Sequence, residues 1–379
     1  MRILLGMPDK DSLGGPIACE PPFVAELRRR GVTVAEETYV YGEQLGGTGL
    51  RRRVARVLRV ARRLRRRLAT EDFDLVHLNT AFDAKAVLRD AATLRLLRPQ
   101  RCRIFLKFHG SNAALLRDAD PLMRGLGRSV LARADGIGVL STEERNSFVA
   151  AGADARKIFV VKNVVEELPA AIANRDARAF AARHEGAGGV PWLLFISRFV
   201  RTKGLLEVIR ACRIVRERGY DFKLLCVGDG PARGEAEAET DRLCLRSLVH
   251  FCGLVPEAEA AEFYANSVML VFPTYHAEGF PMVIFKSLAA GLPVITTRIR
   301  AAADYLTEPD NCFWVEPQNP EQLAERIITL LDEPQTRAAM RRNNLTLAEK
   351  FTADAVTPEY LEIYRQLIEE RRAGRVSHR

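Results

Sequence analysis

Glu278-Gly279-Phe280-Pro281-Met282-Val283 stands between an apolar run, Val268–Thr274, and a helical pattern that stops at Gly291 before a second apolar run from Pro293. A carboxylate, a glycine turn and a helix start follow one another here. The carboxylate can accept hydrogen bonds from hydroxyls. The N–H groups at a helix start have no partner inside the helix and can face an anion. Together these groups suit a molecule that is both polyhydroxylated and negatively charged, as a nucleotide sugar is.

Other positions extend this chemistry. Arg198 and Lys203 lie five residues apart in Ser197-Arg198-Phe199-Val200-Arg201-Thr202-Lys203-Gly204, after the apolar run from Trp192. A departing diphosphate needs such cations. The same spacing also fits a solvated basic loop. Gly228-Asp229-Gly230-Pro231 could let backbone approach a ligand, or it could be a plain turn. Arg233 stands where a dinucleotide fingerprint has its third glycine. Gly14-Gly15-Pro16 could close over phosphates or serve as a flexible turn. His109 ends the apolar run from Cys102, where it could bond a sugar hydroxyl, move a proton or be structural. His77 falls inside an apolar run and is expected to be packed.

Short apolar runs must position these groups. In the first half they are Arg2–Met7, Gly31–Glu37, Asp74–Asn79, Cys102–His109, Gly136–Ser141 and Lys157–Asn163. In the second half they are Trp192–Arg198, Phe222–Gly228, Val249–Gly253, Val268–Thr274, Pro293–Arg298 and Cys312–Glu316. Amphipathic segments such as Phe23–Arg30, Leu50–Ala69 and Thr142–Ala151 lie between them. Buried strands alternating with helices predict an α/β chain with two parallel sheets, hence two Rossmann-like domains. The expected domains are residues 1–170 and 190–357, divided near the glycine-rich stretch before Pro191. A last helix, Pro358–Arg371, could return to the first domain, taking residues 358–379 with it. Ligands in such sheets bind at the carboxyl ends of the strands, so the cleft between two such domains is the expected site.

Arg198, Lys203-Gly204, Gly228-Asp229-Gly230-Pro231, Phe251-x-Gly253, Pro273 and Glu278-Gly279-Phe280-Pro281 occur in order at the ends of these runs. The chain resembles glycosyltransferase family 4, the retaining family with two facing Rossmann domains (the GT-B fold). Gly14-Gly15 and His109-Gly110 match in the first domain. The resemblance implies that Arg198 and Lys203 bind the diphosphate and that Glu278 meets the donor sugar. It implies a cradle of Gly279, Phe280, Pro281, Met282 and Val283, with Gly253, Leu254 and Val255 near the base. Gly228 would lie along the nucleotide, Gly14 and Gly15 would close on the phosphates, and His109 would line the transfer site. No cofactor is implied beyond the nucleotide-diphosphate sugar, which is a substrate. The family usually has a second glutamate eight residues after the first, for the ribose. Here that residue is Lys286, which cannot accept from hydroxyls. It could reach the nucleotide, pair with Glu278 or extend to solvent. Ser197 replaces a frequent glycine.

Composition narrows the partners. The chain has 379 residues, 47% hydrophobic, with a formal charge of +9, which favours an acidic partner. Its seven cysteines form no C-x-x-C pair, as in a reduced cytosolic protein. No signal peptide is legible, and no apolar stretch approaches the ~20 residues that span a bilayer. Ten arginines fall between Arg51 and Arg67. Leu50, Val54, Val57, Ala61, Leu64 and Leu68 form a stripe expected to pack inward. The arginine face could meet anionic lipid or a lipid-linked acceptor, giving a cytoplasmic protein peripheral on the inner face of the membrane. It could also be merely solvated. Nucleic acid is not expected, since aromatic interleaving and motifs are missing. Asp72-Phe73-Asp74 has the Asp-x-Asp form of metal-dependent transferases, but it precedes a strand and lies away from the cleft. No metal is expected. The activity implied is retaining transfer of a hexosyl group to a glycan, lipid-linked or small acceptor. The rivals are a non-catalytic nucleotide-sugar or glycan-binding subunit and a nicotinamide oxidoreductase.

Overall fold

The computed structural model describes residues 1–8, 15–39, 50–97, 102–166, 177–184 and 189–376. Two compact units divide the chain. The first contains Met1–Val164, Ala353–Arg379 and the three residues Glu278–Phe280. The second contains Val165–Ala277 and Pro281–Thr352.

The first unit holds a six-stranded sheet made of β1 (Arg2–Met7), β2 (Thr33–Thr38), β3 (Leu75–Phe82), β4 (Arg103–Ser111), β5 (Gly136–Val139) and β6 (Ile158–Val160). Its order is β2-β1-β3-β4-β5-β6, and every neighbouring pair is parallel. The second unit holds β7 (Trp192–Ile196), β8 (Lys223–Val227), β9 (Val249–Gly253), β10 (Met269–Phe272), β11 (Val294–Thr296) and β12 (Cys312–Trp314). Their order is β12-β11-β10-β7-β8-β9, again parallel throughout. All twelve apolar runs are strands. Ile104, Phe105, Leu106 and Phe108 of β4 are fully buried, as are Leu193, Leu194 and Phe195 of β7. Continuous rather than alternating burial means that helices cover both faces of each sheet.

Some boundaries differ from the sequence expectation. Strand β4 runs on to Ser111, so His109 lies within its last residues rather than at its end. The first helix spans Gly15–Arg29 and contains Pro21 and Pro22. A proline pair ordinarily breaks a helical pattern, which hid the first two turns from sequence reading. Burial of Cys19, Glu20 and Phe23 keeps that stretch in place. The C-terminal helix begins earlier too, at Ala353, and runs to Val376. Arg29, the last residue of the first helix, and Arg30 just after it each lie 2.7 Å from the Asp354 carboxylate. Phe23 packs on Tyr360 with centroids 4.7 Å apart. The C-terminal helix therefore belongs to the first unit through both charge and packing.

The helix Leu50–Thr70 carries the arginines. Val60, Ala61 and Leu64 are buried, while Val57 and Leu68 are half-buried. The inward stripe is thus shifted from the expected one. Val54 is 50% exposed, and Val60, absent from the expected stripe, takes a core place. At 3.6 residues per turn, Val60 extends the Val57–Leu64 line as closely as Ala61 does, and contact with the sheet decides between such neighbours. Arg51, Arg52, Arg59, Arg62, Arg63, Arg65 and Arg66 are exposed. Among the described residues, no helix is long and apolar enough to cross a membrane. Asp74 of the Asp-x-Asp sequence accepts the Arg2 backbone N–H at 2.8 Å, at the amino end of β3. Phe73 lies under the guanidinium of Arg2, 4.8 Å from the ring centre. That segment has a structural role.

Candidate functional site

In the second unit, three adjacent strands, β11, β10 and β7, deliver polar groups at their carboxyl ends. The Arg198 turn after β7 packs against the Gly228-Asp229-Gly230 turn after β8. Phe199 N–H donates to the Asp229 carbonyl (2.8 Å), and Ala232 N–H donates to the Phe199 carbonyl (2.9 Å). Gly228 has φ +133°, and a Cβ there would lie 1.9 Å from the Ser197 carbonyl oxygen. Only glycine permits that approach. Gly204, at φ +86°, likewise allows the Lys203 turn to sit on the Pro273 carbonyl, 2.6 Å from where its Cβ would be. These glycines thus bring cation-bearing turns together. Gly228 N–H also donates to the Gly253 carbonyl at 2.8 Å, joining the expected base segment to the same assembly. In that segment Leu254 is exposed and Val255 half-buried.

Lys203 is stitched to the end of β10. Tyr275 N–H donates to the Thr202 carbonyl (2.9 Å), and the Thr202 hydroxyl lies 2.8 Å from His276 Nδ1. Burial, and then the charge of Arg198, push the Lys203 ammonium down to about 7. His276 is held below its ordinary value by burial and by the charges of Lys203, Arg198 and Arg300. Arg300, just past β11, has φ +39°, a left-handed backbone costly for a side-chain-bearing residue. Sequence reading missed both His276 and Arg300. Their place after β10 and β11, the two strands next in order on one side of β7, was the available signal, but strand order is not written in the sequence.

This electrostatic arrangement predicts linked proton uptake. A nucleotide sugar carries a diphosphate diester that does not titrate near neutrality. Its charge should raise Lys203 from about 7 and draw a proton onto the neutral amine. Calorimetry at about pH 7.5, in buffers of differing ionisation enthalpy, should show proton uptake. Affinity should fall as pH rises from about 7 towards about 9, by up to roughly tenfold per unit. Proton-neutral, pH-independent binding would exclude Lys203 from the anion site.

Helix Met282–Ala289 follows the Glu278–Pro281 turn. Pro281 is buried, and Met282 and Val283 are half-buried. Lys286 is buried within this helix and forms an ion pair with Glu257, the first residue of the helix Glu257–Asn266. A carboxylate from another element stands beside the lysine that replaces the family's second glutamate, directly after the Gly253-Leu254-Val255 segment.

The first unit places His109 in a buried polar group. Glu20 and Lys107 are both inaccessible to solvent, with Lys107 Nζ 2.7 Å from Glu20 Oε1. Burial pushes the Glu20 carboxyl up, but Lys107 and His109 overcome this and hold it well below its ordinary value. Burial likewise opposes the charge on Lys107, and Glu20 more than restores it. His109 Nε2 lies 2.8 Å from Asn79 Oδ1 and 3.4 Å from Glu20 Oε1. Burial and the Lys107 charge bring His109 down to about 4, so its ring is neutral at pH 7. Cys19, Glu20 and His109 offer ligand atoms within 4.8 Å of one another. That cluster was invisible to sequence spacing. The Lys107 ammonium already supplies its positive charge, and burial pushes the Cys19 thiol up, so these donors suit an ion pair rather than a metal. His77 is fully buried as expected, with Nδ1 2.6 Å from the Tyr364 hydroxyl.

Glu278–Phe280 group with this unit, and Gly279 meets His109 directly. A Cβ on Gly279 would lie 3.0 Å from the His109 carbonyl oxygen and 3.1 Å from Leu140 Cδ1. Phe280 is buried. Glu144, behind them, accepts from Ser111 Oγ at 2.5 Å and from Leu140 N–H at 3.1 Å. The fold thus brings two expected site segments, far apart in sequence, into contact. Gly15 opens the first helix. Gly14 lies outside the described residues.

Residues 176–346 match the family model described as glycosyl transferases group 1, and residues 23–167 match glycosyltransferase family 4. The capsular polysaccharide biosynthesis glycosyltransferase CapM of Staphylococcus aureus is 29% identical over 177 residues, 46% of this chain and 46% of that protein. The match therefore spans about half the length of that relative. The N-acetyl-alpha-D-glucosaminyl L-malate synthase of Bacillus anthracis is 24% identical over 81% of this chain and 78% of its own length. Among solved structures, Anabaena HepE in complex with UDP and glucose superposes with a TM-score of 0.74 at 18% identity, covering 96% of this chain and 98% of its own. Sucrose-phosphate synthase from Thermosynechococcus elongatus gives 0.77 at 19% identity, covering 97% and 99%. These superpositions establish the fold as GT-B.

Proposed function

The chain belongs to the GT-B glycosyltransferases of the family 4 kind, and from that premise we propose that it moves a hexosyl group from a nucleoside-diphosphate sugar to a hydroxyl acceptor with retention at the anomeric carbon. The observation that carries this reading is the Arg198–Lys203 turn, where burial and the neighbouring Arg198 charge push the lysine down to about 7. In the reaction the bond from C1 to the diphosphate oxygen breaks. The acceptor oxygen bonds C1 on the same face, and its proton passes to the departing phosphate oxygen. Arg198 and Lys203 neutralise the charge that develops there. Glu278 accepts from donor-sugar hydroxyls, and the backbone from Gly279 to Val283 cradles the donor. His109 meets a hydroxyl from the first unit. These side-chain cations stand in for a divalent metal, so transfer proceeds without one.

The donor class draws support from HepE, described in complex with UDP and glucose. Relatives named for capsular polysaccharide and colanic acid biosynthesis support a glycan or lipid-linked acceptor. The arginine face of Leu50–Thr70 fits a cytoplasmic protein held at an anionic membrane surface, where such acceptors reside.

A panel of nucleotide sugars tests the reading. At least one should bind and turn over, with undiminished rate in excess chelator and the donor's anomeric configuration in the product by NMR. Inverted product would overturn retention. Activity lost in chelator and restored by magnesium or manganese would overturn the metal-free mechanism. Absence of binding across the panel would remove the donor assignment.

A further inference from the structure

Within the second unit, the strand order β12-β11-β10-β7-β8-β9 reverses between β7 and β10. Ligands of open parallel sheets lie in the crevice at such a reversal, above the carboxyl ends of the strands. The Lys203 turn after β7 is bonded there to Tyr275 after β10, through the Thr202 carbonyl. On the other side of β7, Gly228 after β8 is bonded to Gly253 at the end of β9. A nucleoside diphosphate with its phosphates at the Lys203 turn and its base at the Gly253 segment carries its ribose between the two. Glu257 opens the helix that follows β9, just after the Gly253–Val255 segment. Lys286 lies on the helix that follows β10. Their ion pair therefore ties the base end of this interval to the reversal point. Lys286 is closed off from solvent, whereas the Glu257 side chain is 62% exposed and can be reached by a ligand.

We propose that Glu257 determines specificity for the nucleotide's ribose, accepting hydrogen bonds from its 2′- and 3′-hydroxyls while Lys286 holds the carboxylate in place. This rests on the reading of the second unit as the nucleotide-sugar site. Glu257 touches the substrate, and Lys286 is a positioning residue that acts through it. An ionised carboxylate has about four acceptor positions, so the one ammonium at Oε1 leaves room for both hydroxyls of a cis-diol. An exposed glutamate ordinarily loses side-chain freedom when a ligand arrives, and that loss weakens binding. Anchored to a buried ammonium, Glu257 has given up much of that freedom before the ligand comes. The ammonium also keeps a negative group beside a nucleotide whose phosphates are negative themselves, offsetting the repulsion between them. Every ribonucleotide carries the same diol, so Glu257 discriminates at the sugar and not at the base.

Calorimetric titration with uridine, guanosine and adenosine diphosphates and their 2′-deoxy counterparts tests this without reference to turnover. For the base that binds most tightly, wild type should prefer ribose to 2′-deoxyribose by about tenfold or more. Glu257→Ala removes the acceptor and should bring that ratio to about one. It also takes a partner from the buried Lys286 ammonium, which threatens folding. Glu257→Ala/Lys286→Met removes both charges and should show the same loss of preference in a folded protein. Lys286→Met alone leaves the carboxylate present but unanchored, and its ratio should fall between those of wild type and Glu257→Ala. A pair that served only to join two helices would leave the ratio unmoved in all three variants. Full ribose preference in folded Glu257→Ala or in the double variant would overturn the proposal and leave the donor reading intact. A wild-type ratio near one would overturn it equally. If wild type binds none of these nucleotides, the donor reading falls and the proposal falls with it.

Discussion

Arg198→Ala and Lys203→Ala are each expected to lower the turnover number by about a hundredfold or more. A cation about 4 Å from a developing negative charge is worth about 4 kcal/mol at an effective dielectric near 20. That is roughly a thousandfold if it is realised only in the transition state. Partial neutralisation of the ground-state diphosphate returns some of it, hence the lower figure. Folding should not suffer. Lys203 is pushed down to about 7 in the folded protein, well below an unfolded lysine at 10.5. Between these values the unfolded chain binds more protons, so the group's contribution to stability rises with pH over that window. Below about pH 7 the folded protein must hold a poorly solvated ammonium. Lys203→Met should therefore melt at or above the wild-type temperature at neutral pH while losing transfer. Steady-state rates and melting curves measured on the same preparations check both halves. Near wild-type turnover in both alanine variants would remove the pair from the mechanism.

Replacing Arg59, Arg62, Arg65 and Arg66 together by Gln should weaken association with anionic vesicles by about a thousandfold. Each basic residue near an anionic surface contributes about 1 kcal/mol, and four of them give about 4 kcal/mol, close to three factors of ten. The choice follows from the structure. These four are exposed, whereas Arg67 is half-buried and bonded to Glu71 at 2.8 Å and to the Glu36 carbonyl at 2.9 Å. Arg63 lies 3.2 Å from Glu37. Arg59, Arg62 and Arg66 follow one another at helical spacing, away from the Val60–Ala61–Leu64 face that enters the core. Glutamine is close to arginine in helix propensity, so the helix should persist. Wild-type binding should also fade as salt rises, because exposed charges are screened. Cosedimentation with anionic and neutral vesicles provides the measurement. Equal wild-type binding to both would end the membrane reading and leave a solvated face.

The elements were more legible than their partners. Strand runs such as Trp192–Ile196 and Met269–Phe272 announce themselves because a strand covered on both faces must be apolar along its whole length. The Glu278–Pro281 turn was legible for a similar reason, since carboxylate, glycine and helix start are local in sequence. The Pro21-Pro22 pair misled in the first helix, because the burial that outweighs the local cost of proline comes from groups elsewhere in the chain. Val54 and Val60 exchanged places because helical periodicity gives the spacing of a face, while the neighbouring element chooses which residue meets it.

The sequence by itself determined the α/β class, the strand runs, the local turns and the chemical types held at strand ends. Those properties follow from hydrophobic patterning and short-range backbone preference. Only the tertiary structure decided which charges meet. Strand order puts Lys203 and Arg300 near His276. Packing across the fold pairs Lys286 with Glu257 and Lys107 with Glu20, and sets Asn79 against His109. An ion pair or a buried hydrogen bond depends on distances of a few ångströms between residues remote in the chain, and on the water excluded around them.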